Sequence, residues 1–190
     1  MSQPAGKIRI NAGTHRGRMI DVPPGDVSRP TGARVREALF NILQHIEPGV
    51  AESTVLAACA GSGALGFEAL SRGATHVTFF ETDRDARETI EDTADNLDFT
   101  SQATIKRADV LHPPVNRTVP CDLVFLDPPY DSDIAANAPI ALAEAGWIGA
   151  STLLVIETRH SSPVIPETSF NVIDTRAYGD TALYLLNYSG

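Results

Sequence analysis

Cysteine, methionine and tryptophan are scarce in this chain of 190 residues, which has two, two and one of them. Cys59 and Cys121 each lie in an apolar stretch, so buried free thiols are expected and a disulfide framework or metal site is disfavoured. No apolar run approaches the roughly 20 residues that cross a bilayer. The start lacks the apolar core of a signal peptide, because Ile8 and Ile10 alternate with Arg9 and Asn11. Together these absences predict a cytoplasmic protein with no metal and no membrane association. Internal repeats and low-complexity segments are missing too. What remains, 43% hydrophobic and 21% charged residues, suits one globular domain with a modest appendage.

Basic residues are outnumbered 15 to 24, for a net charge of −9. Their distribution matters more than the sum. Met1 to Arg36 carries a net charge of +5 and the remainder −14. A basic arm on an acidic body suits phosphate contact, although a solvated, unstructured start would show the same composition.

Along the chain, Lys7–Asn11 and Met19–Val22 read as a short hairpin around a loop with His15, Arg16 and Arg18. Pro23, Pro24 and Gly25 then break the chain. Arg29-Pro30-Thr31 leads into a helix on which Val35, Leu39, Ile42, Leu43 and Ile46 recur at helical spacing. Strands and helices alternate from there. Strands are expected at Thr54–Cys59, His76–Glu81, Ala103–Lys106, Asp122–Leu126 and Thr152–Glu157. Helices are expected through Leu65–Arg72, Arg84–Leu97 and Ile134–Ala145. Phe170–Thr175 and Ala182–Asn187 form a terminal hairpin about Tyr178-Gly179-Asp180. Such alternation implies a parallel sheet with helices on both faces, and ligands at the carboxyl ends of its strands. The loops to read for chemistry are therefore 60–66, 81–83, 107–110 and 127–133.

The first of these is Ala60-Gly61-Ser62-Gly63-Ala64-Leu65-Gly66, between a strand and a helix. It satisfies the dinucleotide pattern G-x-G-x-x-G, with Gly66 allowing close helix–strand packing. The second strand ends in Glu81-Thr82-Asp83, where a carboxylate can accept both hydroxyls of a ribose. Asp83 serves equally well as a helix cap. Asp109, after the third strand, suits contact with an adenine amine. These features fit an adenosine and do not separate NAD from S-adenosylmethionine.

The fourth strand delivers Asp127-Pro128-Pro129-Tyr130 to the same edge. Consecutive prolines fix the backbone and remove two donors, leaving carbonyls as acceptors. Asp127 adds a carboxylate and Tyr130 a flat face, on which a stacked base gains roughly 1–3 kcal/mol. Acceptors and a stacking surface are what an exocyclic base amine needs to attack a methyl group. The base must be unpaired or flipped out to reach them. Most of the catalytic demand is in-line alignment, so Asp127 is read as orienting the amine rather than as a strong general base.

Arg29-Pro-Thr…Arg34-Val-Arg-Glu-Ala-Leu-Phe-Asn-Ile-Leu43, AGSGALGFEALSRGA (60–74), Glu81-Thr-Asp83, Asp127-Pro-Pro-Tyr130 and Tyr178-Gly-Asp-Thr181 together resemble the bacterial 16S ribosomal RNA (guanine-N2)-methyltransferase family over nearly the whole chain. The resemblance implies a class I Rossmann-like methyltransferase fold: a mostly parallel seven-stranded sheet with helices on both faces, plus an N-terminal hairpin. It implies an arm (1–28) contacting RNA through Lys7, Arg9, Arg16 and Arg18, and an S-adenosylmethionine-dependent domain (29–190). Arg34 and its helix would close over the cofactor. The substrate implied is 16S rRNA in small-subunit assembly particles, met by a monomer. The family usually has aspartate where this chain has Ala57 and Gly32-Ala33, which takes two carboxylates from the cofactor's methionine end. Two other readings stay open: a DNA adenine-N6 methyltransferase, which shares Asp-Pro-Pro-Tyr, and a catalytically weakened RNA-binding assembly protein.

Overall fold

The computed structural model describes residues 6–24, 30–130, 132–161 and 169–190, without the side chains of residues 30 and 31. Arg29, Gly25 and the expected boundary between residues 28 and 29 lie outside the described residues.

Two short strands, β1 (Gly6–Arg9) and β2 (Met19–Val22), pair antiparallel as a separate hairpin. Helix α1 (Pro30–Leu43) follows. Then come β3 (Thr54–Ala58), α2 (Ala64–Ser71), β4 (His76–Phe80), α3 (Arg84–Asn96), β5 (Ala103–Lys106) and β6 (Leu123–Leu126). The chain continues through α4 (Ile134–Glu144), β7 (Leu153–Arg159), β8 (Phe170–Tyr178) and β9 (Thr181–Tyr188). The seven-stranded sheet runs β5-β4-β3-β6-β7-β9-β8. Its first five strands are parallel, and β9 enters antiparallel between β7 and β8. Strand order reverses between β3 and β6, so a crevice is expected outside their carboxyl ends.

Both faces of the sheet are covered, which explains the continuous apolar runs in the sequence. Val55, Val77, Phe79 and Phe125 face Phe40, Phe67 and Ile90 of α1, α2 and α3. Leu56, Phe80, Val124 and Ile156 face Ala138 and Leu142 of α4, with Trp147 edge-on to Phe80. Asp122 locks β6 to β3 by accepting from both the backbone N–H and the hydroxyl of Thr54, each at 2.8 Å. Gly66 lets α2 lie directly on the sheet: a Cβ there would strike the ring of Phe79. Among the described residues no helix is long and apolar enough to cross a membrane.

Candidate active site

β3 ends at Ala58, and Cys59 turns the chain in the left-handed region at φ 58°. A non-glycine residue there costs of order 1–3 kcal/mol, and such strain concentrates at functional loops. The glycine loop is closed by Gly63 N–H donating to the Ala60 carbonyl at 2.7 Å. Glu81 comes up beside it from the end of β4. One of its carboxylate oxygens accepts from Gly61 N–H at 2.8 Å and the other from Asp83 N–H at 2.9 Å. The carboxylate is thereby fixed between the two loops. Asp83 is spent as the cap of α3, accepting from Ala86 N–H at 2.9 Å. Asp109 is exposed and takes Leu111 N–H at 2.9 Å and His112 at 3.1 Å. Those contacts, the backbone one foremost, hold its carboxyl below the usual range.

The neighbouring strand β6 carries the tetrad to the same edge, with Asp127 N–H donating to the Ala58 carbonyl at 3.4 Å. Asp127 and Pro129 are exposed, Pro128 is buried and Tyr130 is half-buried. The Pro129 carbonyl accepts from the Ser132 hydroxyl at 2.7 Å. A cavity of about 890 Å³ joins the two loops. Ala60, Gly61, Ser62, Glu81, Thr82 and Asp109 line one part of it, and all four residues of the tetrad line another. Gly63 and Asp83 lie outside that lining. So does Arg34, which is exposed, whereas Arg36 is buried and lines the cavity. Cys59 also lines it. Burial first, then the charges of Glu81, Asp127 and Asp109, push its thiol up to about 12. Those three carboxylates therefore act electrostatically on one point, although they come from three different strands.

The N-terminal hairpin is docked on the body. Fully buried Glu68 of α2 accepts from the backbone N–H groups of Asn11 and Ala12 at 2.8 and 3.1 Å. It also pairs with Arg72 at 2.8 Å and with Arg36 at 3.8 Å. Arg36 in turn donates to the Arg9 carbonyl at 2.9 Å. Ser71 bonds Ala12 and His15, and His15 packs on Phe99 at 4.3 Å. A Cβ on Gly13 would strike the Ser71 carbonyl. Among the expected RNA contacts, Lys7 and Arg9 line the cavity. Lys7 is held to Asp21 at 2.7 Å. Arg16 is exposed, and Arg18 reaches the Asn96 carbonyl at 2.9 Å.

The residues present fit the adenosine end of S-adenosylmethionine, because Glu81 presents an anchored acceptor for ribose hydroxyls beside a loop free of bulky side chains. Toward α1 the wall is Gly32, Ala33, Ala57 and buried Arg36. Among the described residues that stretch of wall carries no acid for an ammonium group, and its one cation, Arg36, is paired with Glu68 at 3.8 Å. With the strand order given above, this site defines the class: a Rossmann-like S-adenosylmethionine-dependent methyltransferase.

The family described as Conserved hypothetical protein 95 matches residues 8–187. The chain is 38% identical over 178 residues to ribosomal RNA small subunit methyltransferase D of Haemophilus influenzae, covering 92% of this chain and 90% of that one. It is 34% identical over 164 residues to the protein of the same name from Escherichia coli, covering 85% and 81%. The solved structure of yhhF from Escherichia coli superposes with a TM-score of 0.84 at 31% identity, covering 96% of this chain and 98% of that one. The chain belongs to this family, that of ribosomal RNA small subunit methyltransferase D.

Sequence reasoning missed Arg36, Cys59, Glu157 and Thr181. Arg36 had a signal: it shares a helical stripe with Phe40 and Leu43, on the opposite side from Arg34. Cys59 had none, since its strain arises only from the turn.

Proposed function

We propose that this protein transfers a methyl group from S-adenosylmethionine to the exocyclic N2 amine of a guanine in 16S ribosomal RNA, acting as a monomer on small-subunit assembly particles in the cytoplasm. The observation that carries this reading is the Asp127–Tyr130 tetrad lining the same cavity as the glycine loop and Glu81. The cofactor supplies a methyl group on a sulfonium, an electrophile that needs no further activation. Glu81 orients the ribose, and Ala60 to Gly63 provide the backbone against which the adenosine lies. Arg36, already paired with Glu68, would meet the far end of the cofactor with its remaining N–H donors. Asp127 and the Pro128 carbonyl accept the hydrogens of the incoming amine, turning its lone pair out of conjugation and toward the methyl. Tyr130 stacks on the base. Lys7, Arg9, Arg16 and Arg18 hold phosphates along the hairpin. The resemblance to guanine-N2 enzymes supports guanine over adenine as the base.

Undermodified small subunits incubated with methyl-labelled cofactor are expected to gain label on one guanine. Absence of transfer, with cofactor binding intact, overturns the reading. A second reading, an RNA-binding assembly protein with weakened catalysis, is favoured by Ala33 and Ala57 in the cavity wall. Calorimetric titration separates the two: micromolar binding of S-adenosylmethionine supports the enzyme, and no binding supports the assembly protein.

A further inference from the structure

The Tyr178-Gly179-Asp180-Thr181 turn, conspicuous in the sequence, has no part in the mechanism above. Its last residue opens β9 opposite the end of β7, in a register that pairs Thr181 with Arg159 and Leu183 with Glu157. Alternation along an antiparallel pair sets Glu157, Arg159 and Thr181 on one face. Tyr130 comes down onto that face. Its hydroxyl lies 3.2 Å from Glu157 Oε1 and 3.0 Å from Thr181 Oγ1. The Arg159 guanidinium carbon stands 5.2 Å from the centre of the ring. Glu157 and Thr181 line the cavity together with the tetrad.

The chemistry of these groups fixes the direction of the bonds. A carboxylate only accepts, so the single phenolic hydrogen goes to Glu157, and the Thr181 hydroxyl donates to the phenolic oxygen. A ring attached to a backbone loop keeps two side-chain torsions, and a hydroxyl tied at two points removes them. The guanidinium over one face of the ring directs a base to the opposite face.

Resting on the function proposed above, the geometry points to Glu157 and Thr181 as positioning residues that hold Tyr130 by its hydroxyl, with Arg159 backing the ring, so that the target base stacks on one defined face. Neither residue touches the reacting atoms; each acts through Tyr130. Burial pushes the pKa of the phenol above its ordinary value; the Thr181 bond opposes this, while the charge of Glu157 and its bond add to it. The hydroxyl therefore keeps its hydrogen at neutral pH.

The test uses the full chain in two arms. In the first, methyl transfer to small subunits is measured for Glu157→Leu, which cannot accept the phenolic hydrogen, Thr181→Val, Tyr130→Phe and the double variant Tyr130→Phe/Glu157→Leu. Each single substitution is expected to lower kcat by about 10- to 100-fold, the scale of a misplacement of about 1 Å, with cofactor affinity unchanged. The double variant should lose no more than Tyr130→Phe alone, and Thr181→Ser should restore activity. Losses that multiply in the double variant overturn the proposal. The second arm needs no acceptor. The Cζ resonance of isotope-labelled Tyr130, assigned by its loss in Tyr130→Phe, is expected to move in both Glu157→Leu and Thr181→Val. A resonance unmoved in both overturns the anchoring whatever the activity. A wild-type chain that methylates nothing, but whose Tyr130 resonance moves, leaves the anchoring standing and removes the function reading.

Discussion

Asp127 sits exposed in the cavity lining after β6, whereas the anchored Glu81 follows β4. Asp127→Ala is therefore expected to lower methyl transfer by on the order of 100-fold or more while calorimetry finds S-adenosylmethionine bound as before. Loss of both would put Asp127 in the cofactor site instead. Ala57→Asp places a carboxylate on the wall that lacks one. A charge-assisted bond there, worth ~1.5–3 kcal/mol, is expected to tighten cofactor binding about tenfold in the same titration. The thiols of Cys59 and Cys121, both pushed up to about 12, give a pH signature. Their folded ionisation lies above the ordinary value of 9.0. Their contribution to stability is thus complete below pH about 9 and is lost as the pH rises toward about 12. At pH about 8 a disulfide reagent is expected to label both slowly until the protein is denatured, although Cys59 lines the cavity. At this scale Asp127, Tyr130 and Glu81 were legible because chemistry and strand position coincide at them. Asp83 was ambiguous in sequence, and the bond to Ala86 makes it a cap. On α1 the arginine that lines the cavity is Arg36 and not Arg34, because two residues along a helix are a turn of about 200°.

Among the elements, the buried strands read clearly as apolar runs between turns, and the helices lie where the periodicity puts them. The terminal hairpin is longer than the sequence suggested. β8 reaches Tyr178 because its exposed face carries polar and small residues that periodicity cannot distinguish from a loop. The docking of the N-terminal hairpin was not legible at all. Glu68 reaches Asn11 across 57 positions, and nothing local to a glutamate in an apolar helix names its partner. That clamp carries weight. Glu68→Ala would strand two backbone donors beside Arg72 and Arg36, and breaking one side of a buried ion pair costs about 3–5 kcal/mol. For a domain of this size the thermal midpoint is expected to fall by on the order of 10 °C, as calorimetry or circular dichroism would show. A midpoint within a degree or so of wild type would mean that the hairpin is held elsewhere.

Across the whole molecule the charge asymmetry acquires a geometry. Within the basic segment, residues 6–24 are folded against α2 and the end of α3, so Lys7, Arg9, Arg16 and Arg18 are presented from a fixed platform. Replacing Arg16 and Arg18 together with alanine is expected to weaken RNA binding and flatten its dependence on salt, by about one unit of slope for each phosphate no longer held. Filter binding at several ionic strengths would show this, and an unchanged slope would take the arm out of the interface. At the other end of the sheet, β8 has a partner on one side only among the described residues, and Val172 and Ile173 on it are exposed. A rim of that kind invites a second chain to add itself strand by strand. Two features discourage the addition. The register shifts between Val172 and Asp174, which bends the ladder, and just beyond it Asp174 and Arg176 pair at 2.9 Å. Charge and irregularity on a sheet's rim are common guards against fibrillar growth. Smoothing that irregularity or neutralising that pair is expected to turn the rim into a template on which a second chain can add.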